Sequence, residues 1–110
     1  ARITGLLIGL AADLSPRFSG NAARRAIARD AHNHLSPNAG WPEAALAGAL
    51  GISLGGPRNY HGHKTELAWM GDGRTELSAN DIDEGLKLYN IGLNITVALV
   101  AFAALIVFAA

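Results

Sequence analysis

Ile91 to Ala110 reads IGLNITVALVAFAALIVFAA, twenty consecutive residues without a charge. At 1.5 Å per residue a helix of that length is roughly 30 Å long, the thickness of a bilayer's hydrocarbon core. Eleven of the twenty are Leu, Ile, Val or Phe. Each favours insertion by roughly 0.3–0.6 kcal/mol near the centre of a span, which outweighs Asn94 and Thr96 close to one end. The stretch is therefore predicted as a transmembrane helix. The alternative is a buried helix of a soluble protein, but 110 residues leave little else to wrap around it. Asn94-Ile95-Thr96 has the form of a glycosylation sequon and is set aside inside this segment.

Upstream, Ser78 followed by Asp81 fits a capping box, and Asp81, Asp83 and Glu84 suit the positive end of a helix dipole. Asp83 and Lys87 stand four apart on one face. With no proline beyond this point, one helix is expected from Ala79 to Ala110, with Tyr89 near the water–lipid interface. A second apolar run, Ile3 to Ala12, is too short to span. It reads as the end of a span that begins earlier, or as a buried or interfacial helix, which Asp13, Ser15 and Pro16 stop. A signal peptide fits poorly, because Arg2 is the only preceding charge and no cleavage pattern follows. The chain begins at Ala1 and its only methionine is Met70, so a processed chain or a piece of a longer one is expected.

Composition agrees with this division. Charged residues make up 16% of the chain, against roughly 25% in ordinary soluble domains. Half the chain is hydrophobic, which excludes disorder over its whole length. Nine basic and nine acidic side chains cancel, so no global field draws the chain to nucleic acid. The absence of cysteine excludes disulfides and thiolate metal sites. Eight of the nine Lys and Arg residues lie from Arg17 to Lys87, which suggests a cytoplasmic segment. The expected class is mainly α: a helical integral membrane protein fragment. It divides into an apolar helix end (1–14), a polar segment of loops and short helices (15–77), and a helix that becomes the span (78–110).

Within the polar segment, Asn21 is expected to cap a helix from Ala22 to His34, with Arg25 and Arg29 on one face. That face is either solvated or a contact for phosphate or anionic lipid. Pro37 and Gly40 mark a turn, and Pro42 and Glu43 suit the first turn of the next helix. There Ala44/Gly48 and Ala47/Gly51 place small residues four apart, which admits a close neighbouring helix. Ile52 to Leu54 reads as extended, Gly55-Gly56-Pro57 and Gly71-Asp72-Gly73 as turns, and NYHGHKTELAW as an irregular hairpin.

The candidates for chemistry are few. Two His-x-His pairs, His32/His34 and His61/His63, lack a carboxylate cluster and read as exposed histidines rather than a metal site. Gly55-Gly56 before Arg58 and Asn59 offers backbone N–H groups to a phosphate, yet a tight turn needs the same glycines. Neither GxxxxGK[ST] nor GxGxxG occurs. Glu43, Glu66 and Asp72 are carboxylates able to bind Mg²⁺ or accept a proton from an amine. Spacing alone does not choose among them.

The run Arg29-Asp30-Ala31 through Ser36-Pro37-Asn38-Ala39-Gly40-Trp41-Pro42-Glu43-Ala44-Ala45, then Gly48-Ala49-Leu50-Gly51 and Leu54-Gly55-Gly56-Pro57, carries a resemblance. So do Asn59-Tyr60, Glu66, Gly71-Asp72-Gly73 and Ser78-Ala79-Asn80-Asp81-Ile82. Together they resemble the adenosylcobinamide-phosphate synthases of cobalamin biosynthesis (the CobD/CbiB family). Members of that family are longer, with more membrane helices upstream, so this chain resembles their C-terminal portion. Where they usually have Lys-Pro after the glutamate, Leu67-Ala68 follow Glu66 here.

The resemblance implies an integral enzyme of the bacterial inner membrane that joins the carboxylate of adenosylcobyric acid to aminopropanol or its phosphate, with ATP and Mg²⁺. The partners it implies are the corrinoid, the amine, membrane lipid, and upstream helices or other chains that complete the protein. Such chemistry needs cations for phosphates, a carboxylate for Mg²⁺ and a base for the ammonium. Glu43, Asn38 and Glu66 are the catalytic candidates among the resembling segments. Arg29, Arg58, Asn59 and Tyr60 are the candidates for substrate binding. The competing classes are a non-catalytic membrane scaffold of the same fold and a soluble metal-binding domain.

Overall fold

The computed structural model describes residues 1–110, the side chains of Pro37 and Tyr60 excepted. Four helices and two small ribbons follow one another. They are α1 (Arg2–Asp13), α2 (Gly20–Asp30) with a 3₁₀ turn (Ala31–Asn33), α3 (Pro37–Leu50), β1 (Leu54–Gly55), β2 (Arg58–Tyr60), β3 (His63–Thr65), β4 (Trp69–Met70) and α4 (Ala79–Ala109). The expected mainly helical class is what the chain adopts.

Helices α1, α2 and α3 pack into the core, whose buried apolar residues are mostly alanine. Small side chains let the backbones close up. A Cβ on Gly48 would lie 2.4 Å from the Ala22 carbonyl oxygen and 2.8 Å from the Ala26 Cβ, so α2 packs against α3 where the small-residue spacing predicts. Gly51 does not share that contact. It ends α3 in the left-handed region at φ 72°, with nothing within 4 Å of where a Cβ would lie, and so acts as a helix terminator.

The helix boundaries differ from expectation at two caps. Ser19, rather than Asn21, caps α2, its hydroxyl accepting the Ala22 N–H at 3.1 Å, and the α-helix ends at Asp30 instead of His34. Ser36 caps α3, which therefore begins at Pro37, and Pro42 lies inside the helix. A serine followed by proline supplies the same pair of start signals as the later proline does, five residues earlier. Glu43 thus sits beyond the first turn and is not a helix-dipole partner.

After α3 the chain forms two antiparallel ribbons. Strand β1 pairs with β4, and β2 pairs with β3 as the expected hairpin. His61 and Gly62 turn that hairpin with φ 51° and 80°, both left-handed, as a two-residue type I′ turn requires.

Helix α4 starts at Ser78, whose N–H donates to the Asp81 carboxylate at 2.9 Å, completing the expected capping box. Its first turns are fastened to the core. Arg74 donates to Asp81 at 2.6 Å, and the Arg17 Nε–H to Glu84 at 3.1 Å. Lys87 pairs with Glu84 at 3.1 Å rather than with Asp83. Leu88 is the buried residue of α4, and Ile91 and Ile95 pack partly against the core; from there the helix runs on, and no residue of its most apolar 18-residue stretch is buried. It is long and apolar enough to cross a membrane.

Candidate functional site

The Ser36–Glu43 segment is organised around one close approach. A Cβ on Gly40 would lie 2.2 Å from the Ala31 carbonyl oxygen and 3.0 Å from the His34 Cβ. Glycine at position 40 therefore lets the 31–34 turn press against α3. That approach brings the His34 Nε2 to 2.9 Å from the Glu43 Oε2. On the other side of the ring, Nδ1 accepts the Ser36 N–H at 2.9 Å. An Nδ1 that accepts leaves the ring proton on Nε2, which donates it to the Glu43 carboxylate.

Glu43 stands between two hollows. One is a cleft of about 220 Å³ whose lining includes His34, Leu35, Glu43, Arg58 and Leu67. The other is an apolar groove of about 880 Å³ formed by α1 (Thr4, Ile8), α3 (Leu46, Leu50) and the start of α4 (Ile82, Leu86, Tyr89). The second carboxylate oxygen of Glu43 lies 3.8 Å from the position of a Cβ on Gly55, where φ is +84°. A side chain there would intrude on the cleft.

Of the residues singled out by sequence, Glu43 and Arg58 meet at the small cleft. Arg29 is elsewhere: it holds Asp30 at 2.7 Å and Asp72 at 3.2 Å. Asn38 is exposed in the first turn of α3, and Asn59 is exposed on β2. Glu66 is exposed after β3 and lies 3.4 Å from Lys64. The Tyr60 side chain lies outside the described residues. Of the two alternatives for Gly55-Gly56, Gly56 fits the tight turn: its N–H donates to the Ala68 carbonyl at 3.2 Å while Trp69 packs against its Cα.

Two residues escape the sequence reading. His34 belongs to a pair expected to be solvated, whereas only its partner His32 is fully exposed. Asp30 is buried, 8% exposed, and accepts the Gly71 N–H at 2.9 Å, which ties α2 to the Gly71-Asp72-Gly73 turn. Burial pushes its carboxyl up, but hydrogen bonds from Arg29 and Gly71, with the Arg29 charge, outweigh burial and hold it below the usual carboxylate range. No group of three or more His, Cys, Asp or Glu able to hold a metal occurs among the described residues.

A small helical core carrying one lipid-length helix, with a carboxylate–histidine pair at the meeting of a small cleft and a large apolar groove, is the kind of chain these elements define. A family model described as CobD/Cbib protein matches residues 1–89, and the chain belongs to that family. It is 45% identical over 103 residues to the cobalamin biosynthesis protein CbiB of Salmonella typhimurium, covering 94% of this chain and 32% of that protein. It is 49% identical over 88 residues to CbiB of Salmonella arizonae, covering 80% and 27%. With the cobalamin biosynthesis protein CobD of Klebsiella pneumoniae it shares 43% over 99 residues, covering 90% and 31%. The chain thus spans about a third of the length of these relatives and corresponds to their C-terminal portion. No solved structure matches.

Proposed function

We propose that this chain forms part of a membrane-integral, ATP-dependent ligase that joins the carboxylate of adenosylcobyric acid to aminopropanol phosphate. Membership of a family whose relatives are named for cobalamin biosynthesis supports the pathway. The observation that carries the reaction is the position of Glu43, which lines both a small cleft that it shares with His34 and Arg58 and a large apolar groove. Amide formation needs two unlike substrates to meet at one base. In this reading the amine enters the cleft and the apolar corrinoid edge lies along the groove.

Arg58 faces the same cleft as Glu43 and has no carboxylate partner among the described residues, which suits a phosphate on the amine. ATP transfers its terminal phosphoryl group to the carboxylate, giving an acyl phosphate and ADP. The amine nitrogen then attacks the carbonyl carbon, the carbon–oxygen bond to phosphate breaks and phosphate leaves, and the proton lost by nitrogen passes to Glu43. Mg²⁺ would be held chiefly by the substrate phosphates and water, which leaves the free Glu43 oxygen to take the proton. Asn38, Glu66, Asn59 and Arg29 lie outside the cleft lining and are assigned no step.

In this reading Ile91 to Ala110 crosses the bilayer, with Arg17 to Lys87 on the cytoplasmic side of the inner membrane, where ATP is. Amide formation from adenosylcobyric acid, ATP and aminopropanol phosphate, assayed with the natural-length protein in detergent, tests the proposal. Product formation supports it. Stable protein that binds membrane but forms no amide leaves a scaffold and rejects the ligase.

A further inference from the structure

The reading of Glu43 as the base leaves open what aims it, and a base must be held in place to act. A glutamate on a helix has three rotatable bonds, and a half-exposed one samples several directions. Glu43 is held at one oxygen only. Its Oε2 accepts from His34 at 2.9 Å, while the other oxygen lies toward Gly55 and the cleft it shares with Arg58. His34 is itself held, because its Nδ1 accepts the Ser36 N–H at 2.9 Å and its Cβ is pressed to within 3.0 Å of the Gly40 position.

We infer that His34 is a positioning residue for Glu43: its Nε2–H occupies one carboxylate oxygen and turns the other toward the amine in the cleft. This rests on the ligase reading for its chemistry and on the His34–Glu43 contact for its geometry. It gives a physical role to each fixed point of the SPNAGWPE run. Ser36 caps α3 and sets the imidazole tautomer, Gly40 admits the preceding turn, and Glu43 receives the proton. The competing role for His34 is structural, through Ser36 alone.

Two substitutions separate these roles. Glutamine places an amide N–H where Nε2 is, so His34→Gln keeps the bond to Glu43 and loses the acceptor for Ser36. Asparagine places an acceptor where Nδ1 is, so His34→Asn keeps the bond to Ser36 and falls short of Glu43. If His34 positions the base, His34→Asn lowers turnover about 10- to 100-fold, the scale of a displaced reacting group, with the corrinoid KM unchanged and a wild-type melting temperature. His34→Gln then restores most of the turnover. Wild-type turnover in His34→Asn, or a poorer His34→Gln than His34→Asn, overturns the inference. A second measurement is independent of the reaction: ¹⁵N NMR of the histidine rings in detergent, assigned by loss of one set in His34→Asn. The His34 ring nitrogens are expected as a single Nε2–H tautomer whose Nε2 resonance shifts in Glu43→Ala. An unshifted resonance overturns the inference even where the ligase reading stands. A shifted one in a protein without turnover retains the contact and rejects the ligase.

Discussion

The outer part of α4 and the three-helix core use apolar residues in opposite ways. In the core the buried side chains are small: nine of the thirteen buried hydrophobics are alanine. Along α4 the side chains are large and outward, with Phe108 88% and Val107 71% exposed. Helix α1 repeats the pattern within the core, burying Gly5, Gly9, Ala11 and Ala12 while Ile3, Leu6 and Leu10 face out. Water would drive the large side chains inward. Lipid does not, since its tails are as apolar as leucine, and helix contacts are then made by small residues and polar links. The contrast supports a lipid setting for α4 and the outer face of α1; Leu88, Ile91 and Ile95 of α4 pack on the core, and the ion pairs Arg74–Asp81 and Arg17–Glu84 add polar links near its start.

The largest expected effect tests the outer region. Val100 lies mid-way along the uncharged run and is 65% exposed. On a water-facing helix Val100→Arg would be nearly neutral. At the centre of a span it costs about 2.5–3.5 kcal/mol of insertion. Membrane integration after alkaline extraction should fall sharply for Val100→Arg and remain unchanged for Lys64→Arg on the exposed hairpin. Full integration of Val100→Arg would place α4 in water and remove the contrast.

The next effect belongs to the polar side. Glu43→Gln should lower amide-forming turnover by roughly 10²-fold, about 2.7 kcal/mol, with an unchanged size-exclusion profile. His61→Ala together with His63→Ala should leave turnover unchanged, since both lie exposed on the hairpin and line neither hollow. Near-normal turnover for Glu43→Gln would reduce the pair with His34 to a structural contact.

How far each region is legible follows from where its information lies. The span is written in consecutive residues, so length and composition predict Ile91–Ala110, the Ser78/Asp81 capping box sets the helix start at Ala79, and the helix ends at Ala109. The packing face of Gly48 is written in a spacing of four and is equally readable. The His34–Glu43 pair is not written locally. It depends on Gly40 admitting a turn nine residues before Glu43, and on α3 starting at Pro37 instead of Pro42. With α2 expected to run on to His34 whereas it ends at Asp30, and with the start of α3 misplaced by five residues, His34 falls on the wrong element and its pairing with Glu43 is hidden. The Ser36-Pro37 cap is the signal that corrects this. Asp30 is hidden for a different reason: its partner Gly71 is 41 positions away, and only burial distinguishes it from a solvated acid beside an arginine.

A smaller effect sharpens the claim that the core depends on close approach. Gly48→Leu sets a branched side chain where a Cβ would already be 2.4 Å from the Ala22 carbonyl oxygen. Backbone atoms cannot give way as a flexible side chain can, so α2 and α3 must separate, at a cost of about 1–3 kcal/mol. Thermal melting in detergent should show the loss, whereas Gly85→Ala on α4, where the nearest atom is 3.7 Å away, should not. Equal melting temperatures for both variants would mean that the α2–α3 contact is not what holds the core.

The smallest effect concerns the polar link within the core. Asn in place of Asp30 can still accept the Gly71 N–H through its oxygen, but it loses the charge that Arg29 addresses. The difference between a charge-assisted and a neutral hydrogen bond is about 1 kcal/mol, and that is the expected destabilisation of Asp30→Asn at pH 7. Its pH dependence has a definite sign. The folded carboxyl lies below its ordinary value, so the unfolded chain binds the proton more readily. Stability from this group is therefore complete above the unfolded pKa of about 3.9 and is lost as pH falls through the lower folded value. Between pH 7 and pH 5 the wild type should keep its advantage over Asp30→Asn. As pH falls below about 4 the two melting curves should converge, because the wild-type side chain then also becomes neutral. Arg29→Gln should show the same convergence, since removing the cation removes the preference for the charged acid. A constant gap between wild type and Asp30→Asn down to pH 2 would show that Asp30 contributes by shape alone and that the polar link is not electrostatic.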